Sequence, residues 1–322
     1  MGTFYAGGVP LAEVVRSGFA EGYHRGSVVV LDAAGTVVAA AGDVTAPMFP
    51  RSANKPMQAV GMLGAGLRLA DPADLALVSA SHWGESFHVA RVAALLRAGG
   101  LDESALDCPP SLPLDPDAAA GVARGGGGPS RILMNCSGKH AGMLLTCRAA
   151  GWPLEGYLTA EHPLQVAITR AVESCAGEKI VASGVDGCGA PVLALSLGGL
   201  ARAYLGLVAA EPGSAEERVA SAMRAHPELV SGTASPEARL MGSGGGVPGL
   251  LIKGGAEGVL AAAVPGTGAV AVKIDDGAER ARMPVLVSAL RRLGVSSPAL
   301  AALAEFPLLG GGQPVGAVRC VW

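Results

Sequence analysis

Apolar and β-branched residues fill positions 26–31 and again 36–41, and Asp32-Ala33-Ala34-Gly35 separates the two runs. Turn chemistry between two such runs predicts a β-hairpin. A second hairpin is expected from the apolar runs 259–264 and 269–274, joined by Pro265-Gly266-Thr267-Gly268. Helical patterns lie between them. One helix begins near Ser52 and ends by Gly66, and another covers residues 86–98 with Gly99 and Gly100 as its stop. A third covers residues 137–150 and closes at Gly151. A fourth opens at Glu161-His162-Pro163, with proline at an early helical position, and stops at Gly177. Ser214-Ala215-Glu216-Glu217 is a capping box that opens a fifth. Asp276 is expected to cap a final helix ending at Gly294, whereas residues 106–129, rich in Pro, Asp and Gly, read as a long loop.

Hairpins towards both ends with helices between them do not suggest alternating βαβ units. The pattern predicts an α/β (α+β) protein with an antiparallel or mixed sheet and helices packed on it. The expected organisation is one domain over residues 1–322, with a helical subregion at roughly 50–245 between the sheet-forming segments. No internal repeat is visible.

Composition narrows the function. The 322 residues are 50% hydrophobic and 16% charged, with a formal net charge of -3. No cluster of Lys and Arg stands out, so the footprint of a nucleic-acid binder is missing and a small-molecule ligand is expected. A mean hydropathy of +0.41 raises the membrane question. The longest apolar stretch, residues 190–210, holds Arg202 and is interrupted by Gly198 and Gly199. A central arginine costs about 3 kcal/mol on insertion scales, so a buried helix is the better reading. Residues 1–10 lack a basic segment followed by an apolar run, and a cytoplasmic location is expected. The six cysteines are too dispersed for a disulfide framework.

Several short segments carry chemistry. In Arg51-Ser52-Ala53-Asn54-Lys55 the serine and lysine are three apart at a helix start, on one face, so a neutral lysine could take the hydroxyl proton. Ser-x-x-Lys is the nucleophile motif of β-lactamases and penicillin-binding proteins. It also arises by chance, with the serine as a helix cap and the lysine in solvent. Ala80-Ser81-His82-Trp83-Gly84-Glu85 follows the apolar run 75–78 and precedes a helix, where functional side chains often sit. In Asn135-Cys136-Ser137-Gly138-Lys139-His140 a helix N-terminus and neighbouring cations are expected to make Cys136 thiolate-like. Asp186-Gly187-Cys188 forms a second polar turn, and two such thiols with a carboxylate and nearby His or Lys make a plausible zinc site. Two unconnected cysteines in Gly-rich turns fit the same spacing. In Val272-Lys273-Ile274-Asp275-Asp276-Gly277 a lysine on an apolar strand either snorkels outward or points into a site.

Together, in this order from residue 51 to 277, these segments resemble the Rhizobium etli-type (class 3) L-asparaginases, the asparaginase II family. The resemblance implies a fold like that of serine β-lactamases and glutaminases, a homodimer, and hydrolysis of L-asparagine to L-aspartate and ammonia. It implies two Ser-Lys pairs, Ser52 with Lys55 and Ser81 with Lys273. It also implies a zinc held by Cys136, Lys139 and Cys188 with Asp186 beside it, organising the pocket. Lys139 as a ligand would have to be neutral. Arg51, His82, Glu85, Asp186 and His140 are the expected substrate-binding residues, Arg51 for the α-carboxylate. Trp83 beside the second serine is expected to shape the pocket. The rival expectations are a glutaminase or penicillin-recognising enzyme, and a non-catalytic protein that binds zinc or an amino acid.

Overall fold

The computed structural model describes residues 4–322, so Met1, Gly2 and Thr3 of the N-terminal stretch read above lie outside the described residues. The chain opens with strands β1 (Val9–Arg16), β2 (Phe19–Asp32), β3 (Val37–Ala41) and β4 (Pro47–Met48). A 3-10 turn, Arg51–Asn54, leads into α1 (Lys55–Gly64), and α2 (Pro72–Val78), α3 (Ser86–Ala98), α4 (Pro116–Arg124), α5 (Ser137–Ala150) and α6 (Pro163–Ala176) follow. Short strands β5 (Ser183–Val185), β6 (Pro191–Leu193) and β7 (Leu195–Ser196) precede α7 (Leu197–Ala209), α8 (Ala215–Ala225), α9 (Pro227–Val230) and α10 (Pro236–Met241). The chain then returns to strand with β8 (Leu251–Gly255), β9 (Val259–Val264) and β10 (Gly268–Ile274). It ends with α11 (Glu279–Arg292), α12 (Pro298–Ala302), β11 (Glu305–Gly310) and β12 (Gln313–Cys320).

Eight strands form one antiparallel sheet in the order β11-β12-β1-β2-β10-β9-β8, with β3 also paired to β2. Strand β8 is therefore an edge. Every residue of β9 is buried and nearly every residue of β10, on both faces of the pleat. Such strands need cover on two sides, and α7 and α11 both pack on β10. The fold is mixed α/β with an antiparallel sheet and flanking helices, as the periodicity predicted.

Helix α1 is buried from Lys55 to Leu63 and packs against α5, α6 and α8. A helix buried all round is a central one, so the lysine that opens it has no route to bulk water. Helix α5 lies tight against α2. A Cβ on Gly138 would come 2.7 Å from the Leu77 carbonyl, and one on Gly142 would come 2.6 Å from Val78 Cγ1. These two glycines let the N-terminal turn of α5, and with it Cys136, approach the segment after α2.

Several local expectations are revised. The supposed loop 106–129 contains α4, whose N-cap Asp115 accepts a hydrogen bond from the Ala118 amide and whose first helical residue is Pro116. These are helix-start signals, and the surrounding glycines hid them. The run 75–78, which fitted the end of either a strand or a helix, is the end of helix α2, started by Asp71 and Pro72. The stretch 190–210 begins as the short strands β6 and β7 before α7. Asp276 accepts a hydrogen bond from the Ala278 amide, but α11 starts at Glu279. Strands β1, β11 and β12 had no reading in the sequence pattern.

Candidate active site

The chain after α2 is stitched into place by its own backbone. The Ser81 amide donates to the Val230 carbonyl, that of His82 to Asn135 and that of Trp83 to Ser231. Ser81 is thereby fixed between the start of α5 and the end of α9. Two lysines converge on its hydroxyl, with Lys55 Nζ and Lys253 Nζ each 2.9 Å from Ser81 Oγ. Lys55 also donates to the Ala80 carbonyl at 2.5 Å and lies 3.1 Å from Cys136 Sγ. Lys253 donates to the Gly254 carbonyl at 2.9 Å. Both are buried, with 1% and 3% of their surface exposed. Burial and then the Lys55 charge push the Lys253 amine down from 10.5 to about 7.

Ser52 sits on the 3-10 turn just before α1. The turn is held by Tyr204 of α7, whose hydroxyl donates to the Ala53 carbonyl at 2.8 Å. It is held on its other side by β8: a Cβ on Gly255 would lie 2.4 Å from the Pro50 carbonyl and 3.4 Å from the Ser52 amide nitrogen. Only glycine permits that approach. Ser52, Ser81, Asn135, Glu237 and Lys253 line one cleft of about 590 Å³, with Trp83 on its wall. Trp83 packs where a Cβ on Gly232 would be 2.6 Å from its ring.

Arg51, next to Ser52, has φ of +51°, a left-handed conformation rare for such a residue. Its guanidinium reaches Asp186 Oδ1 through Nε and Nη2, both at 2.8 Å, and Glu257 at 3.7 Å. Arg51 and Asp186 are thus brought together as a pair, which leaves the guanidinium already occupied.

Below this cleft two thiols meet. Cys136 caps α5 and is buried, as is Cys188 in its turn. Lys139 Nζ is 3.2 Å from Cys188 Sγ. Contact with Cys188 and then burial raise the Cys136 thiol, whereas contact with Cys136, followed by the Lys139 and His140 contributions, strongly lowers Cys188. Contact with Cys188 and burial thus raise the Cys136 thiol in spite of its helix-end position. Burial pushes Lys139 down, but the Cys188 and Cys136 charges outweigh it and the net shift is upward.

The remaining expected residues lie elsewhere. His82 is fully buried behind the cleft, with Nε2 2.9 Å from Ser137 Oγ and its ring stacked on His88. Burial first, then the His88 and Lys55 charges, hold it well below the ordinary histidine range. Glu85 accepts from the Thr233 amide and hydroxyl at 2.9 and 2.8 Å and ties the 231–235 loop to α3. His140 meets Tyr157 at 2.8 Å through Nδ1 and keeps Nε2 without a hydrogen-bond partner. Lys273 is not at Ser81. Its amine donates to the carbonyls of Glu257, at 2.5 Å, and Ile274, at 2.7 Å. In the sheet, Lys253 stands opposite Ala261, and Ala261 opposite Ala271. Lys273 is therefore two strands away from Lys253, roughly 10 Å sideways, and two residues further along.

The chain matches the L-asparaginase II family over residues 12–320. It belongs to that family. Among solved structures, one described as Mglu in its native form is similar at 16% identity and a TM-score of 0.45. That similarity covers 84% of this chain and 63% of the other, so this chain spans just under two thirds of its length. A β-lactamase from Mycobacterium bovis is similar at 13% identity and a TM-score of 0.37, over 84% of this chain and 95% of that one. No curated protein sequence matches the chain. Among the described residues, no helix is long and apolar enough to cross a membrane.

The L-asparaginase II chain can be tested for zinc from its own donors. Among the described residues no three His, Cys, Asp or Glu side chains cluster as a metal site. The donors here are two thiols and the Lys139 amine, all buried, with the unpartnered His140 Nε2 beside them. Buried polar groups are normally satisfied, and a soft thiolate with nitrogen donors is the chemistry zinc prefers. The two thiols fit the ion, and Lys139 fits it only by losing a proton on binding, against the upward pull of the thiols.

Lys253 escaped the sequence reading although a signal was present. Leu250-Leu251-Ile252-Lys253-Gly254-Gly255 is an apolar strand that ends in a lysine and two glycines. It parallels the K-T-G element that accompanies Ser-x-x-Lys in penicillin-recognising enzymes. Lys253 and Lys273 both stand on apolar strands, and strand order decides which of them reaches Ser81.

Proposed function

We propose that this member of the L-asparaginase II family hydrolyses the side-chain amide of L-asparagine through an acyl-enzyme on Ser52, in the manner of the Rhizobium etli-type class. The observation that carries the reading is the Ser81 hydroxyl held between Lys55 and Lys253, in the same cleft as Ser52. Ser52 Oγ attacks the amide carbonyl and its proton passes to Lys55, whose own proton has first moved through the Ser81 hydroxyl to the neutral Lys253. The oxyanion is met by backbone N–H groups at the open start of the turn, where the first amides of a helix lack partners. The departing nitrogen needs a proton to leave as ammonia. Ser81 supplies one and is refilled from Lys55, its other bonded lysine, while Lys253 keeps its hydroxyl in register. Water then attacks the β-aspartyl ester, gives a proton back along the same path and releases aspartate.

Cys136, Lys139 and Cys188 would hold zinc. When bound, the ion would keep the thiols as thiolates and order the floor of the pocket. Cys136 lies against Lys55, so an ordered Cys136 fixes where that lysine points. We place the protein in a reducing compartment, the cytoplasm, as a homodimer. All six cysteines are free, which suits such a compartment.

Ammonia release from L-asparagine tests the reading. The parent should be active and Ser52→Ala inactive, and a fully active Ser52→Ala would exclude Ser52 as the nucleophile. Metal analysis of the same preparations should find about one zinc per chain, and none after Cys188→Ala, while light scattering reads the dimer. The Ser52/Lys55, Ser81 and Lys253-Gly254-Gly255 set also favours one second reading, a penicillin-recognising hydrolase. Turnover of nitrocefin without ammonia release from asparagine or glutamine would select it.

A further inference from the structure

The segment Lys273-Ile274-Asp275-Asp276-Gly277 does not reach either serine, yet it is tied to the Ser52 turn by a short chain of contacts. Lys273 Nζ donates to the Glu257 carbonyl at 2.5 Å and to the Ile274 carbonyl at 2.7 Å. It thus pins the turn between β8 and β9 to the end of β10. Gly258 closes the same contact, because a Cβ there would lie 2.6 Å from the Ile274 carbonyl. Glu257 has φ of +58°, and among the described non-glycine residues only Ser17 and Arg51 share that region. Residues other than glycine persist there only where their surroundings hold them. Two of these three face each other, since Glu257 Oε1 lies 3.7 Å from Arg51 Nη1. Between them, Gly255 packs on the Pro50 carbonyl and the Ser52 amide.

We infer that Lys273 and Glu257 form a brace that sets the position of the Ser52 turn, a positioning role for the known family reaction that rests on Ser52 being the nucleophile. Lys273 holds the Glu257 backbone in its left-handed state. That backbone delivers Gly255 against the Ser52 amide, and the Glu257 carboxylate joins Asp186 in holding Arg51. The ion pair itself contributes little, because the Glu257 side chain is largely exposed. The backbone link is the main element. A displaced nucleophile lowers the rate of attack without weakening ground-state binding, and a shift of about 1 Å can cost on the order of 100-fold in rate.

The experiment is steady-state ammonia release from L-asparagine by Lys273→Met, Lys273→Arg, Glu257→Gly and Ser52→Ala, with thermal midpoints measured on each. Lys273→Met should lower kcat by about tenfold with KM changed less than about threefold. Lys273→Arg, which can still donate to both carbonyls, should recover most of the loss. Glu257→Gly separates positioning from stability. Glycine is comfortable at this φ but is not confined to it, so the midpoint should hold while the freed backbone lowers kcat, the lost carboxylate adding little. Should Lys273→Met fail to fold, Glu257→Gly decides alone. Wild-type kcat in folded Lys273→Met, or in Glu257→Gly, overturns the brace while an inactive Ser52→Ala leaves the nucleophile standing. An active Ser52→Ala overturns both.

Discussion

At the scale of single residues, the decisive arrangement is one hydroxyl between two buried amines. Ser81 has one proton and two lone pairs. If both lysines were charged they would compete for those lone pairs and repel each other in a site cut off from water. Burial and the Lys55 charge relieve this by pushing Lys253 down to about 7, with Cys136 and Glu237 pulling the other way and Arg282 adding to the push. A neutral Lys253 can accept the Ser81 proton that an ammonium would refuse. Accordingly, kcat/KM should rise with pH through a midpoint near 7, and Lys253→Arg, which stays charged, should lose both activity and that limb. The folded pKa lies below the unfolded one, so the unfolded chain binds the extra proton between about 7 and 10.5. Lys253 therefore opposes folding most at or below neutral pH and progressively less as the pH rises through that window. Replacing a buried polar group by an apolar one of similar shape is often stabilising. Lys253→Met should abolish ammonia release while raising stability by about 1 kcal/mol at pH 7, read as a higher urea midpoint. A lower midpoint would mean that its bonds to Ser81 and Gly254 outweigh the cost of burial.

At the scale of elements, the site is assembled where helix starts meet a sheet edge. The Ser52 turn opens α1, Cys136 opens α5, and Lys253 comes from β8 at the edge of the sheet. Close contact between α5 and α2 brings Cys136 into register with Ser81, and that contact depends on Gly138. A methyl group there would meet the Leu77 carbonyl at 2.7 Å and Leu77 Cγ at 2.9 Å. Backbone on one side and a packed side chain on the other leave little room to adjust. Gly138→Ala should cost about 2 kcal/mol by overpacking, seen as a lower urea midpoint at unchanged slope, and should reduce turnover further by moving Cys136 and Lys139. Much at this scale was legible in advance. Helix α3 and helix α5 occupy the expected residues, and the β9–β10 hairpin forms as read. Helix α4 was missed because none of its residues is buried, so no apolar stripe marks it and only its caps do.

At the scale of the whole molecule, strands from residues 9–41 and from residues 251–320 make one sheet, and β12 fills the place between β11 and β1. Its pairing with β1 extends from Ala12 opposite Cys320 to Arg16 opposite Gly316. Removing residues 305–322 would strip β1 of one of its two partners and uncover an unpaired edge beside buried Leu11 and Val14. The shortened chain should be recovered mainly as aggregate, whereas a monodisperse, active product would show that β11 and β12 are dispensable. The same sheet explains why β1, β11 and β12 were not seen in the sequence. Their burial patterns are mostly partial or exposed, so neither strict alternation nor a continuous apolar run announces them.

The local pattern of residues determined the main helices, both hairpins, the mixed α/β class and the short segments that hold Ser52, Lys55, Ser81, Cys136, Lys139 and Cys188. These follow from periodicity, caps and turn chemistry, which act over a few residues. The choice of Lys253 over Lys273, the pairing of Arg51 with Asp186, and the opposed shifts of the Cys136 and Cys188 thiols came only with the tertiary structure. Each depends on which strand lies at the sheet edge, which groups meet across a hundred residues of chain, and how deeply they are buried. Sequence spacing carries none of these, because electrostatics and hydrogen bonding act through distances in space.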